Sequence, residues 1–101
     1  MGQRVKLQEI LESIPGVSKV YFQPPSNITL EYPCIIYSRS YGDTKFADNV
    51  PYLYGQRYDV TVIDRNPDSE IPMHVAMLPM CIFDRAFKAD NLNHDAFKLY
   101  F

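Results

Sequence analysis

Gln56-Arg57-Tyr58-Asp59-Val60-Thr61-Val62-Ile63-Asp64 is the stretch whose reading decides the fold. Tyr58, Val60 and Val62 share one side of an extended chain, and Arg57, Asp59 and Thr61 share the other. That alternation, rich in β-branched residues, is the pattern of a half-buried strand. Arg65-Asn66-Pro67-Asp68-Ser69-Glu70 follows with turn chemistry. Ile71, Val75, Leu78 and Ile82 then recur at i, i+4, i+7 and i+11, the spacing of one helical face. A strand that feeds directly into a helix lays that helix back over its sheet, because each needs the other to bury its apolar side. Pro72 fits the first turn of this helix, with Asp68 or Ser69 as N-cap. Pro79 kinks or shortens the helix near Val75 to Leu78.

Working outward, Val5, Leu7, Ile10, Leu11 and Ile14 predict a leading helix that Pro15-Gly16 ends. Val17 to Phe22 predicts a strand, and Gln23-Pro24-Pro25-Ser26-Asn27 a rigid loop whose prolines cannot donate to a sheet. Pro33 to Tyr41 predicts another strand. Its adjacent Ile35 and Ile36 make both faces apolar, as in a central strand covered on one side by helices and on the other by further contacts. After the second helix, the segments at 83–88 and 95–100 form two arms of a hairpin with Asp90-Asn91-Leu92-Asn93-His94 as its tip. The order is α-β-β-β-α-β-β. It predicts one α+β domain over residues 1–101, an antiparallel sheet of four to five strands with two helices packed on one face.

Composition narrows the function classes. The 101 residues are 47% hydrophobic and 22% charged, which suits a globular chain with a single core. The net charge of −2 disfavours non-specific gripping of phosphate backbones, which calls for a basic surplus. Eight Tyr and six Phe with no Trp hint at surfaces that become partly buried in contacts. No signal peptide is expected, because residues 1–14 carry scattered charges. No stretch reaches the ~18 apolar residues of a membrane span. Cys34 and Cys81 lie in apolar surroundings without metal-pair spacing and are expected as buried thiols. Asn27-Ile28-Thr29 matches a glycosylation acceptor only by chance if the chain is not secreted.

No catalytic signature stands out. His74 and His94 lack a Cys or Glu at ligand spacing. The run at 90–95 lacks the glycine and the closing Glu of a calcium loop. Asp59, Asp64 and Asp68 suit solvent and capping roles better than paired catalytic carboxylates. Tyr21, Tyr37, Tyr54 and Tyr58 could stack bases from a sheet, but the glycine-aromatic signature of such modules is missing, so core or subunit contact is the better reading. The expectation is no enzyme, no cofactor and no metal. The longest connection, 42–53, is the candidate functional loop on its length alone.

Tyr58 to Ser69, Phe83-Asp84-Arg85-Ala86-Phe87, Ala89 to Asp95 and the final Leu99-Tyr100-Phe101 together resemble the tail terminator and tail-completion proteins in the neck of long-tailed bacteriophages. The resemblance covers nearly the whole chain in element order, and its motifs are not catalytic. It implies a homo-oligomeric ring, a hexamer, that caps the tail tube protein and docks to the head-tail connector protein. DNA would pass its channel without specific binding, which an acidic balance favours because like charge repels phosphate. The ring would be a structural part of the virion, assembled in the host cytoplasm and apart from any membrane. Carried over by position, Gly42, Asp43, Thr44, Lys45, Phe46, Ala47, Asp48, Asn49, Val50, Pro51 and Tyr52 would form the loop that reaches a neighbouring subunit or partner. A head-completion or minor capsid protein of the same neck region would look much the same. A small cytoplasmic binding module, with a pocket near His74 or His94, is the alternative from another class.

Overall fold

A computed structural model describes residues 3–40 and 57–101. The elements follow the expected order: α1 (Gln3–Glu12), β1 (Lys19–Phe22), β2 (Cys34–Arg39), β3 (Arg57–Asp64), α2 (Ile71–Ala76), β4 (Cys81–Ala89) and β5 (Leu92–Tyr100). The strands form one sheet in the order β1-β2-β3-β5-β4. Three of the four strand pairs are antiparallel, as predicted. The edge pair differs: β1 runs parallel to β2, Lys19 opposite Cys34 and Phe22 opposite Tyr37. The proline-rich loop after Phe22 is the reason. It is long enough to carry the chain back to the start of β1 rather than turning it in a hairpin.

β3 sits at the centre with its alternation intact. Val60 faces Tyr37 across one side and Phe97 across the other, and Val62 faces Ile35 and Asp95. Tyr58, Val60 and Val62 are buried, on the same face as Val20, Ile35, Tyr37, Phe97 and Leu99. Both helices close over that face, α1 with Leu7 and Leu11, joined by Ile14 in the turn after it, and α2 with Ile71 and Val75. The result is the predicted two-layer α+β architecture. Each fully buried aliphatic side chain in this layer contributes about 1.5–3 kcal/mol relative to exposure.

Local chemistry sets the element ends. Ile14-Pro15-Gly16-Val17 closes as a turn, Val17 N–H to Ile14 O at 3.4 Å, with Gly16 at φ +93°. Proline followed by a glycine in the left-handed region is the signature of a type II turn. At the start of α2, Ser69 Oγ accepts from Ile71 N–H at 3.2 Å, although the residue at the N-cap position is Glu70. The helix stops at Ala76, and Ile82 lies in β4 rather than on the helical face its spacing suggests. Pro79 accounts for this, since it cannot continue the ladder. The hairpin tip is also tighter than the polar run 90–94 suggests. Only Asp90 and Asn91 turn, at φ +53° and +63°, the pair of left-handed residues a two-residue type I′ turn requires. Leu92, Asn93 and His94 belong to β5.

Candidate functional site

The loop carried over from the resemblance, Gly42 to Tyr52, lies outside the described residues, as does Tyr54. The other sequence candidates are scattered rather than brought together. His74 is half-buried on α2, and His94 stands on β5, its Nδ1 3.2 Å from Leu92 O and its ring stacked on Phe87 at 4.6 Å and 13°. Asp64 Oδ1 accepts from Asn66 N–H at 3.0 Å and Asn66 Oδ1 from Asp68 N–H at 2.9 Å, so these residues shape the turn after β3. Asn93 Nδ2 secures the turn by donating to Asp64 O at 3.3 Å. Asp59 pairs with Lys98 Nζ at 3.0 Å, and Asp84 stands 3.9 Å from the same amine. The β-bulge between Phe83 and Arg85 turns Asp84 toward Lys98. Among the described residues no group of three or more His, Cys, Asp or Glu is placed to hold a metal ion.

Tyr37 and Tyr58 are core residues, 0% and 1% exposed. Tyr37 tethers α1 to the sheet: its hydroxyl donates to Gln8 Oε1 at 2.5 Å and accepts from Arg4 Nη1 at 3.3 Å. Its ring meets Phe22 at 4.9 Å and Tyr58 at 5.9 Å. Burial raises its hydroxyl pKa above 10.0. Tyr21 lies on the opposite face, where its hydroxyl accepts from Glu31 N–H at 3.1 Å. Cys34 is buried, and burial pushes its thiol up to about 11. Cys81 departs from expectation in being only half-buried, because it opens the edge strand β4.

The surface that sequence reasoning missed runs along α2 and β4. Every residue of β4 after Cys81 is exposed, including Ile82, Phe83 and Phe87. Met73 on α2, Met77 at its C-cap and Met80 in the following turn are exposed beside it. The register puts Phe83 on the helix side of the sheet, opposite Phe97, and Ile82 and Phe87 on the other side, opposite Lys98 and His94. Apolar side chains therefore wrap both faces of this edge, while Asp84, Arg85 and Lys88 interrupt them. The available signals were the adjacent Ile82 and Phe83 and the i, i+4 pair Met73 and Met77. A second apolar feature is a cavity of about 170 Å³ lined by Leu7, Ile10, Leu78, Pro79, Met80, Leu99, Tyr100 and Phe101.

No protein-family model matches the chain, and no curated protein or solved structure is significantly similar to it. No helix among the described residues is long and apolar enough to cross a membrane.

Proposed function

We propose that this chain is a non-catalytic structural subunit that assembles into a ring at the top of a bacteriophage tail tube, terminating the tail and joining it to the head-side connector. The observation that carries the oligomeric part is the exposed row Met73, Met77, Met80 and Phe83 beside α2 and β4. Thioether and aromatic side chains left in water by one copy favour burial by another, at about 25 cal/mol per Å² of apolar area removed from water. The resemblance in element order supports the placement in the tail, and the net charge of −2 suits a wall that DNA passes without adhering.

Mixing the purified chain with tubes from a terminator-deficient phage tests this reading. Electron microscopy is expected to show rings at one end of each tube, and deletion of Asp43 to Asn49 is expected to abolish joining while the far-ultraviolet spectrum stays folded. Binding to heads but not to tubes would replace the terminator reading with a head-completion role. Binding to neither would overturn the placement in the neck.

A further inference from the structure

The two edges of the sheet are not equivalent. At β1 the Val20 carbonyl is taken by the Gln8 side-chain amide at 3.3 Å, so α1 closes part of that edge. Among the described residues the β4 edge has no comparable cover. The backbone groups it presents follow from the ladder. Tyr100 N–H donates to Met80 O at 3.1 Å, so 80 and 100 are a bonded pair, and antiparallel alternation turns Cys81 and Phe83 outward. The bulge shifts that phase by one residue. Ala89 and Leu92 close the two-residue turn as a bonded pair, which leaves Ala86 and Lys88 facing outward.

The geometry points to a two-fold contact in which β4 pairs antiparallel with β4 of a second copy, with Phe87 on the axis. In this register Ala86 faces Lys88 of the second copy and Lys88 faces its Ala86, so each exchanges both backbone bonds. Arg85 faces Ala89. Phe87 meets Phe87 as a non-bonded pair, the arrangement that brings side chains closest. Because Phe87 already stacks on His94, the contact aligns His94, Phe87 and their two symmetry mates in one aromatic row.

Charge and sterics remove the alternatives. Axes on Arg85 or Lys88 would oppose like charges directly. An axis on Ala86 matches only one bonded pair, since Lys88 would then face the bulged Asp84. An axis on Ile82 would run the second strand beside residues 75–79, the end of α2 and the turn that follows it. With Phe87 on the axis the second strand runs past the Asp90-Asn91 tip and away from α2. The overlap is only the five residues Arg85 to Ala89, so the pair is reversible and dilution separates it. A two-fold pair is isologous, unlike the head-to-tail contact of a ring. It thus goes beyond the ring reading and holds the free chain in dimers.

The test is cysteine cross-linking with sedimentation velocity on the full-length chain. Phe87→Cys in a Cys81→Ser background places two thiols about 4.5–5.5 Å apart at Cα, within disulfide reach. Oxidised glutathione is expected to convert it to a covalent dimer, while Phe83→Cys in the same background still dimerises reversibly but is not cross-linked. Ala86→Pro removes an outward N–H without touching the β5 ladder, and is expected to keep the fold by circular dichroism and lose the dimer. A Phe87→Cys chain that is folded but not cross-linked, or an Ala86→Pro chain that still dimerises, overturns the contact. Rings on tail tubes with no such cross-link would reject the β4 pair and leave the ring reading standing. The cross-link without rings would do the reverse.

Discussion

Replacing Tyr37 by Phe separates what the aromatic ring contributes from what the hydroxyl contributes. The ring is 0% exposed and packs against Phe22 and Tyr58, and Phe retains those contacts. What is lost is the 2.5 Å bond to Gln8 and the 3.3 Å bond from Arg4. A net hydrogen bond is worth about 1 kcal/mol, and one to a charged partner somewhat more. Gln8 and Arg4 are only half-buried, so water replaces part of the loss. The expected cost is roughly 1–2 kcal/mol. In guanidinium titration the midpoint should fall with an unchanged slope, and the melting temperature should drop by about 5–15 °C. Tyr37→Ala, which empties the ring's place as well, should cost about 3–5 kcal/mol. The same change alters alkaline stability. Burial raises the folded-state pKa of Tyr37 above its ordinary 10.0, so its contribution is complete below that pH and is lost as pH rises toward the folded value. Tyr37→Phe should therefore lose less stability above pH 10 than the natural chain. A Phe variant as stable as the natural chain, or as damaged as the Ala variant, would refute the tether between α1 and the sheet.

Other substitutions probe separate parts of the fold. The Cys34 thiol, raised from 9.0 to about 11, favours the folded state below pH 9 and loses that contribution between pH 9 and about 11. Cys34→Ala should flatten this part of a stability-against-pH curve measured by urea titration. Gly16→Ala has space, since its new Cβ would lie 3.7 Å from Ile71, but φ +93° strains any other residue; about 1 kcal/mol should be lost in thermal melts. Asn91→Gly should leave stability unchanged or slightly higher, whereas Asn91→Val should lose about 1–2 kcal/mol, because φ +63° is hostile to a β-branched side chain. His94→Ala should leave joining and infectivity nearly intact, as plating efficiency would report. Loss of infectivity with the fold preserved would instead favour chemistry at His94.

The legible parts of the fold were those whose local pattern and tertiary burial agree. Alternation in Arg57–Asp64 survives at the centre of the sheet, and the helical spacing of Ile71 and Val75 matches their burial. Ile82 misled because an apolar residue eleven positions after Ile71 fits a helical period whether or not Pro79 has ended the helix. The parallel β1–β2 pair was not legible, since pairing direction depends on the path of the loop between the strands. The turn chemistry of Asp90 and Asn91 was visible, while the polar residues after them disguised the start of β5. The candidate surface was the least legible of all. Sequence periodicity shows which residues could share a face, but not that β4 would stand at the sheet edge with Ile82, Phe83 and Phe87 exposed.

Whether copies of this chain close into the proposed ring is measured most directly by negative-stain electron microscopy with light scattering on the concentrated protein and on the protein mixed with tail tubes. Six copies of an 11.7 kDa chain give about 70 kDa for a closed ring. Particles of that mass with an open centre are expected, free in solution or seated on the tube. Monomers or dimers alone, with bare tubes after mixing, would contradict the proposed ring.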